Sequence, residues 1–312
     1  MKSLKVGEHT FDWGARTYVM GILNVTPDSF SGDGLLGSQP ASVEVEESKA
    51  AQQGEGVQAA IEQARRFIGA GADILDVGGE STRPGSAPLE LEEERRRVLP
   101  VVEGLVREFP KALISVDTCK AAIAQEALRA GAHIVNDVWG LRADPRLRQV
   151  VAEAKCPVVL MHNRSNPASV EVRAQLGNAY IGAEYKDLIE DIKRELMESV
   201  GLARGAGVQD DRIILDPGIG FGKKVEHNLQ LLNRLDEIRD LGFPVLIGPS
   251  RKSFIGFTLD LPPEQRLEGT AATVAVGITR GADIVRVHDV EAMMRVVKMT
   301  DALVRRKSPP SQ

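Results

Sequence analysis

Tyr18-Val-Met-Gly-Ile-Leu-Asn-Val-Thr-Pro-Asp-Ser-Phe-Ser31 opens as an apolar run that reads as a buried strand. It breaks at Asn24 into a polar turn holding Thr26, Pro27, Asp28 and Ser29. Strand residues are committed to packing, whereas residues just past a strand are free for chemistry. The same arrangement recurs along the chain. Apolar runs at 18–23, 73–77, 112–116, 133–135, 157–161, 212–215, 244–247 and 283–287 are too short for helices. Amphipathic stretches separate them, among them 56–70, 90–108, 120–130, 180–203, 225–241 and 266–280. Three of these stretches run into Gly-Ala, at Gly71, Gly131 and Gly281, where glycine supplies the left-handed cap that turns the chain back.

Strands that alternate with helices and are apolar on both faces predict a parallel sheet covered by helices. Eight such units in 312 residues predict an α/β fold, a single (β/α)8 TIM barrel, as one domain over 1–312. A doubly wound open sheet is the alternative. It carries a glycine-rich dinucleotide fingerprint in its first unit, and Gly21-Ile-Leu-Asn24 is not one. Residues 1–16 predict a short N-terminal β-hairpin cap, Lys5-Val6 and Thr10-Phe11 about a Gly7-Glu8 turn. Residues 34–56 mix Ser, Gln, Glu, Ala and Gly with little periodicity and predict a long flexible loop after the first strand.

A 43% hydrophobic chain of this length can fill a full core, and its net charge of −5 leaves no basic surface for nucleic acid. Arg95-Arg96-Arg97 follows Glu92-Glu93-Glu94 on one predicted helix, so i, i+3 and i, i+4 pairing on a solvated face is expected there. No segment is apolar enough to span a membrane and no signal peptide precedes the cap, so no membrane partner is expected. Cys119 follows the third strand and Cys156 precedes the fifth, at opposite barrel ends; no disulfide is expected and a reducing, cytoplasmic setting fits.

A barrel of this kind builds its site at the C-terminal ends of its strands. The residues there are Asn24, Asp76 with Glu80, Asp117, Asn136 with Asp137, His162, Asp216, Ser250-Arg251-Lys252-Ser253, and Arg286 with His288. Asp117, Asn136 and Asp216 suit a flat heterocycle bearing amino and lactam N–H groups. Singly, each reads better as a helix cap; together they do not. Arg83, Lys252, Arg286 and His288 form a cationic set for a polyanion, Arg286 and His288 on one side of an extended strand. The competing reading for Arg286 is an ion pair with Asp289 or Glu291. Asn24 can donate to phosphate or ligate a hard cation. No pair of the five histidines has the helical spacing of a transition-metal site. Asp216-Pro-Gly-Ile-Gly-Phe-Gly-Lys223 fails as a Walker loop, because 217 is Pro and 224 is Lys. Its glycines predict a tight turn that brings Phe221 over a planar ligand.

These blocks, in this order, resemble the dihydropteroate synthase family of folate biosynthesis. The similarity rests on Met20–Ser31, Gly78-Gly-Glu-Ser-Thr-Arg-Pro-Gly85, Ile114-Ser-Val-Asp-Thr118 and Ile134-Val-Asn-Asp137. It continues through Val159-Leu-Met-His162, Asp216-Pro-Gly-Ile-Gly-Phe221, Ser250-Arg-Lys-Ser253 and Val285-Arg-Val-His-Asp289. The resemblance implies a transferase joining 6-hydroxymethyl-7,8-dihydropterin pyrophosphate to p-aminobenzoate, with Mg2+, giving 7,8-dihydropteroate and pyrophosphate. It implies that Asp117, Asn136, Asp216, Lys252, Met161, Phe221 and Arg286 hold the pterin. It assigns Asn24, Arg83, Arg286 and His288 to pyrophosphate, with Asn24 on Mg2+. It gives Phe30, Thr82, Pro84, Phe221, Lys252 and Ser253 to p-aminobenzoate, which sulfonamides mimic. Lys252, Arg83, Asp33 and Asp28 are the catalytic candidates, and a homodimer is implied. The chain departs from the family at Gly32-Asp33-Gly34, where the usual run is Asp-Gly-Gly. Two alternatives stand beside this: a pterin-binding methyltransferase barrel, which has no need of Thr82-Arg83-Pro84, and a catalytically idle paralogue.

Overall fold

A computed structural model of the chain describes residues 1–25, 45–80, 89–166, 170–173, 177–180 and 182–305, with only the backbone at 45–53, 170–173 and 177–180. Two short strands, β1 (Leu4–Val6) and β2 (His9–Phe11), form an antiparallel hairpin about Gly7. Eight parallel strands follow: β3 (Tyr18–Asn24), β4 (Ile74–Gly78), β5 (Leu113–Asp117), β6 (Ile134–Asp137), β7 (Val158–Met161), β10 (Ile213–Asp216), β11 (Leu246–Ile247) and β12 (Ile284–Val287). They lie in the order β10-β7-β6-β5-β4-β3-β12-β11. A parallel bridge between Leu215 and Val245 brings the two ends of the sheet together. This is the expected α/β barrel with its hairpin cap. A second hairpin, β8 (Val170–Arg173) and β9 (Gly177–Tyr180), interrupts the repeat after β7.

Side chains alternate across a strand, and each barrel strand uses the two faces differently. Val19, Leu75, Val77, Ile114, Val116, Val135, Leu160 and Leu215 point outward into one continuous core with the helices. Their neighbours Tyr18, Met20, Ile74, Leu113, Ile134, Val159, Ile214, Leu246 and Ile284 fill the barrel interior. The hairpin closes the lower end with Leu4, Val6 and Phe11, all buried. Phe11 stacks on Trp13 with ring centroids 5.2 Å apart and meets Tyr18 edge-on at 4.7 Å. One inward step higher the residues turn polar: Asp76, Ser115, Asn136 and Asp216 replace aliphatic side chains. Floor and mouth of the barrel are thus successive positions of the same strands.

The predicted glycine caps take the left-handed backbone: φ is 97°, 111° and 97° at Gly71, Gly131 and Gly281. A side chain at Gly131 would stand 2.8 Å from Val106 Cγ2, so both φ and packing demand glycine there. Two expectations need correction. The first long helix begins at Val45, so the expected loop over 34–56 is helical from 45 onward; 34–44 lie outside the described residues. Glu, Lys, Ala and Gln favour helix without any apolar periodicity, so the pattern missed it. The helix expected over 180–203 runs Leu188–Gly205, because the Asp187 side chain accepts the N–H groups of Ile189 and Glu190 and caps it there. The Arg95–Arg97 run is paired as expected, with Arg95 on Glu92 and Arg97 on Glu93, but Glu94 is buried beneath β5 and accepts from Thr118 Oγ1 at 2.6 Å.

Because the hairpin seals the end away from the mouth, its packing should matter for stability alone. Phe11→Ala is expected to cost about 3–5 kcal/mol through the cavity it leaves. Thermal unfolding measures that loss. Ligand affinity at the mouth should stay unchanged, and a large affinity loss would contradict the separation.

Candidate active site

Arg286 enters the barrel from β12 at the level where the interior turns polar. Its Nε donates to Asp76 Oδ2 at 2.6 Å and its Nη2 to Asp117 Oδ2 at 2.7 Å. Asp76 is fully buried on β4 and also accepts from Asn136 Nδ2 of β6 at 3.1 Å. Four strands are thereby tied by one guanidinium and two carboxylates. Helix capping is the competing reading for Asp117 and Asn136. Neither caps the next helix; Thr118 Oγ1, not Asp117, accepts the Lys120 N–H. The competing partner for Arg286 is also settled, since Asp289 binds Arg251 instead, at 2.6 Å.

Asp216 ends β10 and accepts the Gly218 N–H at 2.7 Å. The turn that follows has positive φ at Gly218, Gly220 and Gly222, as a tight glycine turn requires. It presents Phe221, over whose ring Lys252 Nζ sits 4.1 Å from the centroid. Gly220 has φ 84°, which favours glycine, and a Cβ there would press on Lys252 Cδ at 3.0 Å. Lys252 immediately precedes the helix Ser253–Leu259, so Ser253 stands at that helix's first position. Met161 is buried at the end of β7.

Burial governs the ionisation of this cluster. It pushes Asp216 up to about 6, against the Gly218 N–H, Lys223, Lys252 and Arg286. It pushes Asp117 up to about 7, with Arg286 pulling the other way. It pulls Lys252 down to about 8, helped by Arg286. Burial also opposes the charge on Arg286, but Asp76 and Asp117 outweigh it and raise that group. His288 corrects an expectation. Burial and Arg286 lower it to about 3, so it contributes a neutral imidazole rather than a cation. Ser250 Oγ accepts the His288 backbone N–H at 3.2 Å and lies 3.0 Å from Nδ1. With one O–H and two lone pairs, the hydroxyl pairs with Nδ1 in either neutral tautomer of the ring.

Asn24 closes β3 beside Gly78 of β4. Asp28, Phe30, Asp33, Thr82, Arg83 and Pro84 lie outside the described residues. Sequence reasoning placed Asp76 at a strand end without giving it a partner, and passed over Ser250 as the partner of His288. A carboxylate inside an otherwise apolar strand was the available signal for Asp76, because a buried charge requires a counter-charge. Among the described residues, no group of three or more His, Cys, Asp or Glu side chains converges to hold a metal.

A family of pterin binding enzymes matches residues 45–288. The chain is 45% identical to the dihydropteroate synthase of Clostridium beijerinckii, over 97% of this chain and 100% of that protein. It is 47% identical to the dihydropteroate synthase of Bacillus subtilis, over 93% and 90%. Among solved structures, the Clostridium difficile dihydropteroate synthase in the presence of pteroic acid aligns with a TM-score of 0.80 and 44% identity, over 95% of this chain and all of that one. The Yersinia pestis enzyme with a sulfonamide drug aligns at 0.81 and 38%, over 97% and 99%. With this barrel, this mouth and this degree of identity, the chain belongs to the pterin binding enzymes and, among them, to the dihydropteroate synthases.

Proposed function

We propose that the mouth described above is where 6-hydroxymethyl-7,8-dihydropterin pyrophosphate and p-aminobenzoate are joined. The observation that supports this best is the buried set Asp76, Asp117, Asn136 and Asp216 with the half-buried Arg286 between them. Its acceptors match the N–H edge of a pterin, and its planar guanidinium matches the ring face. Asp216 and Asn136 take the pterin edge, Asp117 the far edge, and Met161, Phe221 and Arg286 pack on the ring. Lys252 reaches both the pterin and the arylamine. Phe221, Ser253, Phe30, Thr82 and Pro84 wall the arylamine, and Asn24, Arg83, Arg286 and His288 receive the pyrophosphate. The roles of Phe30, Thr82, Pro84, Arg83, Asp28 and Asp33 rest on the family resemblance.

In the reaction the methylene C–O bond breaks and its electron pair leaves on pyrophosphate. The arylamine nitrogen forms the new C–N bond and gives up a proton. The electron-rich pterin spreads the developing positive charge, and the buried carboxylates favour it. No activated nucleophile is needed. Mg2+ fits this scheme through the Asn24 amide oxygen, a hard donor at the rim, since magnesium keeps most of its shell as water and phosphate oxygens. When bound, it supplies charge neutralisation for the leaving pyrophosphate. A methyltransferase role has less support, because the Ser250–Ser253 block and the Lys252–Phe221 contact have no purpose in it.

We further propose a homodimer. The adjoining helices Leu267–Thr279 and Val290–Val304 expose Leu267, Val276, Met299, Leu303 and Val304, with Met299 61% and Leu303 68% accessible. A second copy of the chain would cover them. No helix among the described residues is long and apolar enough to cross a membrane. Both cysteines are free, which suits the cytoplasmic setting we propose.

Three measurements test these readings. Asp216→Asn keeps the shape of the side chain and removes its charge, so pterin binding should weaken by roughly 2–5 kcal/mol; unchanged affinity by calorimetry would remove Asp216 from the site. In pyrophosphate-release and binding assays, p-aminobenzoate should bind only after pterin pyrophosphate and Mg2+, because one wall of its pocket is the bound pterin. Tight p-aminobenzoate binding to the ligand-free enzyme would contradict that order. Met299→Arg with Leu303→Arg should shift sedimentation from dimer to monomer, and an unchanged dimer would place the interface elsewhere.

A further inference from the structure

Beneath the glycine turn lies a charged group that the proposed reaction has not used. Lys223 is 4% exposed, and its Nζ lies 2.9 Å from Gly218 O, 3.0 Å from Phe221 O and 3.0 Å from His162 Nδ1. His162, 1% exposed, reaches Glu195 Oε2 through Nε2 at 3.1 Å. Glu195 in turn accepts two hydrogen bonds from Arg164 Nε at 3.1 Å and one from Arg194 at 3.1 Å. Arg164 stacks over Tyr185, 4.3 Å from the ring centroid.

The protonation of this chain follows from its ends. Glu195 is surrounded by donors; burial works against its charge, but His162 and Arg164 outweigh that and hold it well below the usual carboxylate range. A carboxylate only accepts, so His162 Nε2 carries a proton. Burial depresses His162 to about 3, so the ring is neutral, its one proton stays on Nε2, and Nδ1 is an acceptor. Lys223 then faces three acceptors with no donor among them, which is the donor count of an ammonium group. Burial also pulls Lys223 down, to about 7, with Asp216 and Glu195 holding it up, and it pulls His162 lower still, to about 3, so a single proton shared between the two stays on Lys223.

Resting on the dihydropteroate synthase reading, we infer that Lys223 is a positioning residue of the site. Its ammonium, locked from inside the turn by Gly218, Phe221 and His162, aims Asp216 and Phe221 at the ligand and places a positive charge behind Asp216. The turn has little freedom of its own. A side chain at Gly218 would strike His162 O at 1.9 Å, and one at Gly222 would strike the Arg164 carbonyl carbon at 2.4 Å. From the other side, Asn228 Oδ1 accepts the Gly220 N–H at 2.6 Å. Lys223 is the component of this clamp that carries charge. Asp216 faces Lys223 from its own turn, Lys252 from the start of the helix Ser253–Leu259 and Arg286 from β12, which is itself shared with Asp76 and Asp117. Removing Lys223 takes away one of three cations that favour ionised Asp216, so that carboxyl should protonate at higher pH.

The experiment has two arms. In the wild-type enzyme, 15N-labelled lysine and histidine report protonation directly. At pH 6, below the lowered Lys223 value of about 7, Lys223 should be an ammonium and His162 the Nε2–H tautomer. A neutral Lys223 amine, or a proton on His162 Nδ1, overturns the inference without any variant. In the second arm, 6-hydroxymethylpterin affinity is followed by calorimetry from pH 5 to 8. Lys223→Met should weaken binding at pH 7 by about tenfold or more and move the acid limb of the profile to higher pH. His162→Asn keeps an acceptor near the Nδ1 position and should lose less than Lys223→Met. A purely structural lysine would lower Tm while leaving per-site affinity and the acid limb in place, and that result sinks the proposal. Wild-type protein that binds the pterin but never consumes p-aminobenzoate would count against the synthase reading and leave the Lys223 result standing.

Discussion

The forked contact of Arg286 with Asp76 and Asp117 is the constraint around which this barrel is arranged. A guanidinium inside a barrel cannot be left alone, and neither can a fully buried carboxylate. Each answers the other, and the pair ties β12 to β4 and β5 at one height. Deleting one partner of such a set would strand the other charge in a dry interior, typically a loss of about 3–5 kcal/mol. Asn136 uses its amide N–H on the same Asp76 oxygen, so a fourth strand is registered to the cluster. The site is therefore rigid before any ligand arrives.

That rigidity depends on what lies beneath it. The floor of the barrel is aliphatic and the hairpin stops it with Leu4, Val6 and Phe11. Above this plug Asp76, Asp117 and Asp216 are each buried, so their charges are poorly screened. Burial lifts Asp216 and Asp117 to about 6 and 7 and lowers Lys252 to about 8, bringing three groups toward neutrality. Burial thus draws the two carboxyls and the ammonium toward one another, the carboxyls from below and Lys252 from above.

The glycine turn after β10 shows how one motif serves two neighbours. Its outer face offers Phe221 to Lys252, and its inner face gives two carbonyls to Lys223. His162, just past the end of β7, joins the inner set through Nδ1, and its carbonyl oxygen comes so close that only glycine fits at 218. Lysines 223 and 252 occur in similar polar surroundings in the chain. Their surroundings in space separate them, one beneath the turn against its carbonyls and one over the Phe221 ring.

Much of the fold was legible from the amino-acid sequence because a parallel barrel writes itself in repeating apolar runs. The strands, the glycine caps, the hairpin and the position of the mouth all follow from alternation and from φ preferences, which are local. So do Asp117, Asn136, Asp216, Lys252 and Arg286 as site candidates, since polar residues at the ends of apolar strands stand out. Where a helix lacked apolar periodicity, as from Val45, or began at a single capping side chain, as at Asp187, the pattern was blind. Pairings were decided by tertiary structure alone. That Arg286 chooses Asp76 and Asp117 over Asp289, that Ser250 meets His288, and that Lys223 meets His162 depend on groups between 38 and 210 positions apart. Charge, desolvation and hydrogen-bond count act through distance in space, and only the closed barrel sets those distances.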